Sequence, residues 1–271
     1  MNPIFSTLEY WLVSHPKILN FTWSQGETLG SSLNFLTLTI LSYLTLTFLL
    51  SHHHHIPSIG SHILKPITAV HNLTLLIFSL IMALGCTLSI FAHTPSIHHF
   101  ICFPPQTPPS GPLFFWAYIF YLSKILEYID TLLIILSESM MRRLTFLHVY
   151  HHAMVVIMCY LWLHTSQSMF PLMLVTNASV HVIMYTYYLL CALGVRPRWK
   201  RLVTDCQILQ FFSSFGIMSL IFYYHFSGGS VGCSGMWGWC FSSVFITSLL
   251  VLFIDFYSKN YSSGGAKTKV A

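Results

Sequence analysis

The residues most able to do chemistry in this chain are three histidines, His148, His151 and His152, at the start of a stretch that is otherwise almost wholly apolar. On a helix, positions i, i+3 and i+4 share one face, so the three imidazoles stack together. The stretch continues from Ala153 to Leu163 with enough hydrophobicity to cross a bilayer. A polar cluster at its entrance must therefore face protein, water or a bound molecule rather than lipid. Gathered imidazoles of this kind serve as nucleophiles or as metal ligands, and the cluster reads as a buried reaction site.

Other polar residues lie in equally apolar surroundings. Lys124, Glu127 and Asp130 fall inside one hydrophobic run, where each would cost roughly 2.5 to 3.5 kcal/mol if it faced lipid, so all three should point inward. Lys124 and Glu127, at i and i+3, can pair. Asp130, one turn further, is suited to accept from a ring N–H and fix its tautomer. A purely structural ion pair is the alternative to a supporting shell around the histidines. A later run carries Asn177, His181, Met184, Tyr185, Tyr187 and Tyr188. Asn177 and His181 are one turn apart and can face the imidazole cluster, although a lone membrane histidine is more often a structural hydrogen-bonding group and the tyrosines could form an interfacial belt. Thr204, Gln207 and Gln210 step along one side of the next run, as partners for a carbonyl or as interhelical hydrogen bonds.

These residues must be positioned by membrane-spanning helices. Hydrophobic residues make up 55% of the chain and charged residues 7%, against about 25% charge in a soluble globule. At about 20 apolar residues per crossing, seven spans are expected, near 32–50, 69–92, 112–137, 145–164, 168–192, 202–226 and 236–257. The fold class is thus an all-α integral membrane protein of seven transmembrane helices. Residues 1–31 form an N-terminal segment that does not read as a cleaved signal peptide, 32–258 one membrane domain, and 259–271 a tail.

Basic residues collect on the cytoplasmic side, and here the bias is nearly complete. Lys65, Arg142, Arg143, Arg196, Arg198, Lys200, Arg201, Lys259, Lys267 and Lys269 all follow odd-numbered spans, leaving Lys17 near the N-terminus and Lys124 within a span. The N-terminus is therefore expected in the lumen and the C-terminus in the cytosol. Lys267 and Lys269, fifth and third from the end, match a dilysine retrieval signal for the endoplasmic reticulum, with a merely basic tail as the alternative. Cys102 and Cys233 fall in the two lumenal loops after spans two and six, an oxidising compartment, and a disulfide between them is expected. The other cysteines, Cys86, Cys159, Cys191, Cys206 and Cys240, read as small hydrophobes in or beside spans. Asn20, in Asn20-Phe21-Thr22, is the one glycosylation sequon both lumenal and outside a span, and glycan on Asn260 would contradict this orientation. His52 to His55 read as a solvated run.

Four motifs in order carry a family resemblance: Lys124, Glu127, Asp130 and Thr131; Leu147, His148, Tyr150, His151 and His152; Asn177, Val180, His181, Met184 and Tyr185; and Thr204, Gln207, Gln210 and Phe211. The chain resembles the ELO family of very-long-chain fatty acid elongases, in the manner of a plant ELO-like member, over about residues 66–258 with no departure inside the motifs. The resemblance implies a 3-ketoacyl-CoA synthase of the endoplasmic reticulum, in which spans two to seven enclose an acyl-chain tunnel. Acyl-CoA and malonyl-CoA would be its substrates, with no cofactor and no metal. It implies an acyl-histidine intermediate on His151, assisted by His181, with His148 and His152 positioning the thioester or enolate. Asn177 and Gln207 would stabilise oxyanion charge, with Gln210 and Tyr185 among the supporting groups. Arg142, Arg143, Arg196, Arg198, Lys200 and Arg201 would receive the CoA phosphates. Membrane lipid, other elongation-cycle enzymes and a second copy of the chain are the expected partners, and nucleic acid is not. Competing readings are a membrane di-iron desaturase or hydroxylase, for which the histidine boxes are too few, and a non-enzymatic seven-span receptor or transporter.

Overall fold

The computed structural model describes residues 3–52, 59–93, 101–137, 143–227 and 232–259. Among them the chain is helical, with one isolated bridge between Thr22 and Ser110. A short helix α1 (Pro3–Glu9), a π-helical turn (Tyr10–Ser14) and α2 (Pro16–Leu19) precede the long helices α3 (Leu33–His52), α4 (Ser61–His93), α7 (Phe146–His164), α8 (Phe170–Ala192), α9 (Lys200–Ser227) and α10 (Met236–Tyr257). Those six are each long and apolar enough to cross a membrane. The expected third span is present as two shorter helices, α5 (Pro112–Leu126) and α6 (Tyr128–Ile135). The break falls on Glu127, where the Asp130 N–H bonds to the Glu127 carbonyl three residues back at 3.0 Å, a tighter turn than the α-helix allows. Helix α4 also begins at Ser61, before the expected 69, because its first turns are polar and Pro66 does not end them. Arg142, His53 to His55, Asn260, Lys267 and Lys269 lie outside the described residues.

The helices close a ring. Helix α4 packs along α8, α8 on α9, α9 on α10, α10 on α7, α7 on α5, and α5 back on α4. Helix α3 lies outside that ring, against α6 and α7, and buries only Leu36, Tyr43 and Thr47. The apolar residues it turns outward, such as Leu38 and Phe48, are at home in hydrocarbon.

Alternating helix directions give the ring two ends. At one, Cys102 and Cys233 are joined by a disulfide. The Ser168 hydroxyl accepts from the Phe103 N–H at 3.0 Å and donates to the Ser234 carbonyl at 3.0 Å, so three loops are sewn together. Gly235, at φ +80°, sits where a Cβ would run into the Gln167 backbone, which leaves only glycine for that turn. The N-terminal segment joins this end through Trp23 N–H to Pro109 O (2.9 Å) and Gly111 N–H to Phe21 O (2.8 Å). The other end carries Lys65, Arg143, Arg196, Arg198, Lys200 and Arg201.

Candidate active site

A cavity of about 930 Å3 occupies the interior of the ring. Every long helix but α3 contributes to its wall. Its rim, at the basic end, includes Lys65, Arg143 and Lys200, and its depth includes Met158, Met173 and Phe245. The stacked pair Phe120 and Trp162, with ring centroids 5.7 Å apart, lines the deep part. Beyond Trp162 the space is filled by Phe170, Phe114 and Phe103 in successive aromatic contact.

Helix α7 brings the imidazoles to this cavity. Its first turn is capped by Thr145, whose hydroxyl accepts from the His148 N–H at 3.2 Å, the arrangement that satisfies an otherwise orphaned helix donor. His148, His151 and His152 all line the cavity, with ring centroids 4.4 Å apart for His148 and His152 and 5.1 Å for His151 and His152. Tyr150 points elsewhere and bonds Ser248 on α10 at 2.7 Å, holding α7 in the ring. His181 reaches the same cavity from α8.

Two polar clusters stand behind the imidazoles. In the first, Lys124 Nζ lies 2.7 Å from Glu127 Oε1 and 3.3 Å from His181 Nδ1, with Phe120 beneath the ammonium. Lys124 is 1% and Glu127 2% exposed, so each charge depends on the other for compensation. His181 Nδ1 also lies 3.5 Å from Glu127 Oε1, so this nitrogen accepts from the ammonium in one tautomer and donates to the carboxylate in the other. In the second cluster Asp130 Oδ1 lies 2.9 Å from His71 Nε2, and Oδ2 accepts from the Tyr185 hydroxyl at 3.0 Å. Asp130 thus does hold an imidazole, but it belongs to α4 and not to the three-histidine cluster. The residue behind His148 is Thr131, whose hydroxyl is 2.9 Å from His148 Nε2. The sequence does not single out His71: an Asp in an apolar run calls for a donor, but α4 carries many, among them Lys65, Thr68, His71 and Asn72.

Asn177, Gln207 and Gln210 line the cavity together. The Asn177 amide donates to Gln210 Oε1 at 3.5 Å, and Gln207 Nε2 lies 3.6 Å from Met184 Sδ, both long contacts that leave capacity unused. Glu127 Oε2, His152 Nδ1 and Asn177 Oδ1 are buried with no hydrogen bond to a described residue, and each belongs to a residue that lines the cavity. Such orphans cost about 1 to 3 kcal/mol apiece, which marks a place built to meet polar atoms from outside the protein. Among the described residues no group of three or more His, Cys, Asp or Glu is placed to hold a metal ion.

The expected cations are not gathered together. Arg143 and Lys200 line the rim, whereas Arg196 and Arg198 are exposed outside it. Arg201 is engaged at 2.6 Å by the Tyr257 hydroxyl and at 3.8 Å by Asp205, tying α9 to α10.

This arrangement of a basic rim, a ring of imidazoles and an apolar depth coincides with a match to the family described as ELO: GNS1/SUR4, over residues 28–269. The chain belongs to the ELO family. Among its relatives are fatty acid elongase A of Dictyostelium discoideum, 36% identical over 70% of this chain and 70% of its own, and fatty acid elongase sre1 of the same organism, 30% identical over 92% and 91%. A third is the fatty acid elongase 3-like protein of Arabidopsis thaliana, 29% identical over 96% and 93%. This ELO-family protein is a multi-pass membrane protein.

Proposed function

We propose that the protein is the condensing enzyme of fatty acid elongation, joining a long-chain acyl-CoA to malonyl-CoA to give a 3-ketoacyl-CoA two carbons longer, with release of CoA and carbon dioxide. The observation that carries this reading is one cavity whose rim is cationic, whose middle holds four imidazoles and whose depth is apolar. A CoA thioester has the same order of parts: phosphates, thioester, hydrocarbon. The reading places the protein in the endoplasmic reticulum membrane with the basic rim in the cytosol and the disulfide in the lumen, as the basic residues and the oxidising compartment require.

His151 is the attacking group. His181 is engaged by Lys124 and His148 by Thr131; His151 and His152 both line the cavity with no side-chain hydrogen bond to a described residue, but His152 is only 6% exposed whereas His151 is half-buried. A ring nitrogen adds to the thioester carbonyl, the C–S bond breaks, and the imidazole proton leaves with the CoA thiolate as CoASH. Malonyl-CoA then loses carbon dioxide, and the electron pair of the broken C–C bond becomes an enolate. The enolate carbon attacks the acyl carbon, the C–N bond breaks, and its electron pair returns to His151, which takes up one proton. Splitting the reaction in this way replaces one difficult step by two easier ones. Asn177 and Gln207 supply neutral amide donors for the developing oxyanion, and Arg143 and Lys200 meet the CoA phosphates. No cofactor enters. The test is to supply purified protein with malonyl-CoA and a panel of acyl-CoAs: a 3-ketoacyl-CoA two carbons longer than one of them is expected, and no such product at any chain length contradicts the reading.

A further inference from the structure

Helix α3 stands outside the ring that encloses the cavity, and its outward face is fit only for lipid. It nevertheless sends one polar group towards the site. Tyr43 is 6% exposed, its ring stacks on that of Tyr128 with centroids 4.0 Å apart, and its hydroxyl lies 3.0 Å from Thr131 Oγ1. Thr131, 1% exposed, lies in turn 2.9 Å from His148 Nε2. Thr131 has a single hydroxyl hydrogen and two hydrogen bonds to make, so it donates in one and accepts in the other. A phenol donates more strongly, and accepts more weakly, than an aliphatic alcohol. Thr47, one turn along α3, also bonds the Tyr43 hydroxyl and can donate to it, so the favoured direction runs from Tyr43 to Thr131 to His148 Nε2. His148 then carries its hydrogen on Nδ1, which makes no hydrogen bond to a described residue, and His148 lines the cavity.

We infer that Tyr43 is a positioning residue for the condensation: through Thr131 it fixes the tautomer of His148, so that His148 presents an N–H donor to the acyl group. The inference rests on the condensing reading above. Without Tyr43 the Thr131 hydroxyl loses its donor and can turn to accept from His148 Nε2–H, and the cavity side of the ring then offers a lone pair where negative charge develops. A donor felt mainly in the transition state acts on kcat rather than on KM.

The test compares Tyr43→Phe, Thr131→Val, Thr131→Ser and the double variant Tyr43→Phe/Thr131→Val in the full-length protein, measuring kcat, KM for acyl-CoA and unfolding temperature. Removing a group that orients a reacting residue costs about tenfold or more, so Tyr43→Phe is expected to lower kcat about tenfold with KM unchanged and the aromatic stack retained. Thr131→Ser, which keeps a hydroxyl, should stay close to the wild type. In the Thr131→Val background the further change at Tyr43 should have no additional effect on kcat, because the path is already cut. A Tyr43→Phe enzyme with wild-type kcat overturns the inference, as does a loss at Tyr43 that multiplies with the loss at Thr131. An active wild type with either result leaves the condensing reading standing. A folded wild type that makes no 3-ketoacyl product overturns that reading and this inference together.

Discussion

At the disulfide end three loops are bound by Cys102–Cys233 and the Ser168 hydroxyl, and the aromatic column from Phe103 to Trp162 fills the space between the helices. At the basic end the same helices part around a cavity where Glu127, His152 and Asn177 each keep a buried polar atom unpaired. Among the described residues Trp23 Nε1 and Gln167 Nε2 are unpaired beside the stapled loops too, but the unpaired atoms of Glu127, His152 and Asn177 belong to residues that line the cavity. A site that must hold unpartnered groups needs a rigid frame to stop it collapsing on itself, and the stapled end supplies that frame. The only described charges deep in the ring, Lys124, Glu127 and Asp130, lie between the two regions on the third span, and the break at Glu127 is where one passes into the other.

The sharpest way to separate the two ends is His151→Ala. Removing an attacking nucleophile costs at least about a thousandfold in kcat, while unfolding temperature should stay near the wild type because the ring lines the cavity and makes no hydrogen bond to a described residue. Glu127→Gln attacks the junction. It leaves the Lys124 ammonium buried beside a neutral amide and is expected to destabilise the fold by about 3 to 5 kcal/mol, read as a lower unfolding temperature in detergent. Losing the disulfide by Cys102→Ser should cost about 2 to 4 kcal/mol while turnover per folded molecule holds; a large loss of turnover would show that the two ends are not separable in this way. Arg143→Ala, at the rim, removes one charged phosphate contact worth about 1.5 kcal/mol. It should raise KM for acyl-CoA about tenfold with no change in unfolding temperature.

Much of this was legible in the chain itself. Apolar runs mark the spans, because lipid demands them, and the spacing of His148, His151, His152, Asn177, His181, Gln207 and Gln210 placed them on faces that do meet in one cavity. The pairing of Lys124 with Glu127 followed from helical periodicity. Hydropathy could not show the break at Glu127, since Tyr128 to Ile135 are as apolar as the residues before them. Nor could it join His71 to Asp130 or Tyr43 to Thr131, because these are contacts between helices far apart in sequence and neither His71 nor Tyr43 belongs to a motif. Charge counting likewise gathered Arg201 with the rim, whereas Tyr257 and Asp205 engage it instead. Periodicity reports which face of a helix a residue occupies; only the packed ring reports which faces meet.

If His151 is the attacking group, it carries the acyl group between the two half-reactions. Intact-mass measurement of the protein mixed with acyl-CoA alone, followed by peptide mapping, tests it directly. A mass increase equal to one acyl group is expected, with release of one equivalent of CoA and an adduct on His151 that is absent from His151→Ala and discharged by malonyl-CoA. A preparation that makes 3-ketoacyl product yet shows neither adduct nor stoichiometric CoA release would contradict it and would require condensation within a ternary complex of enzyme, acyl-CoA and malonyl-CoA.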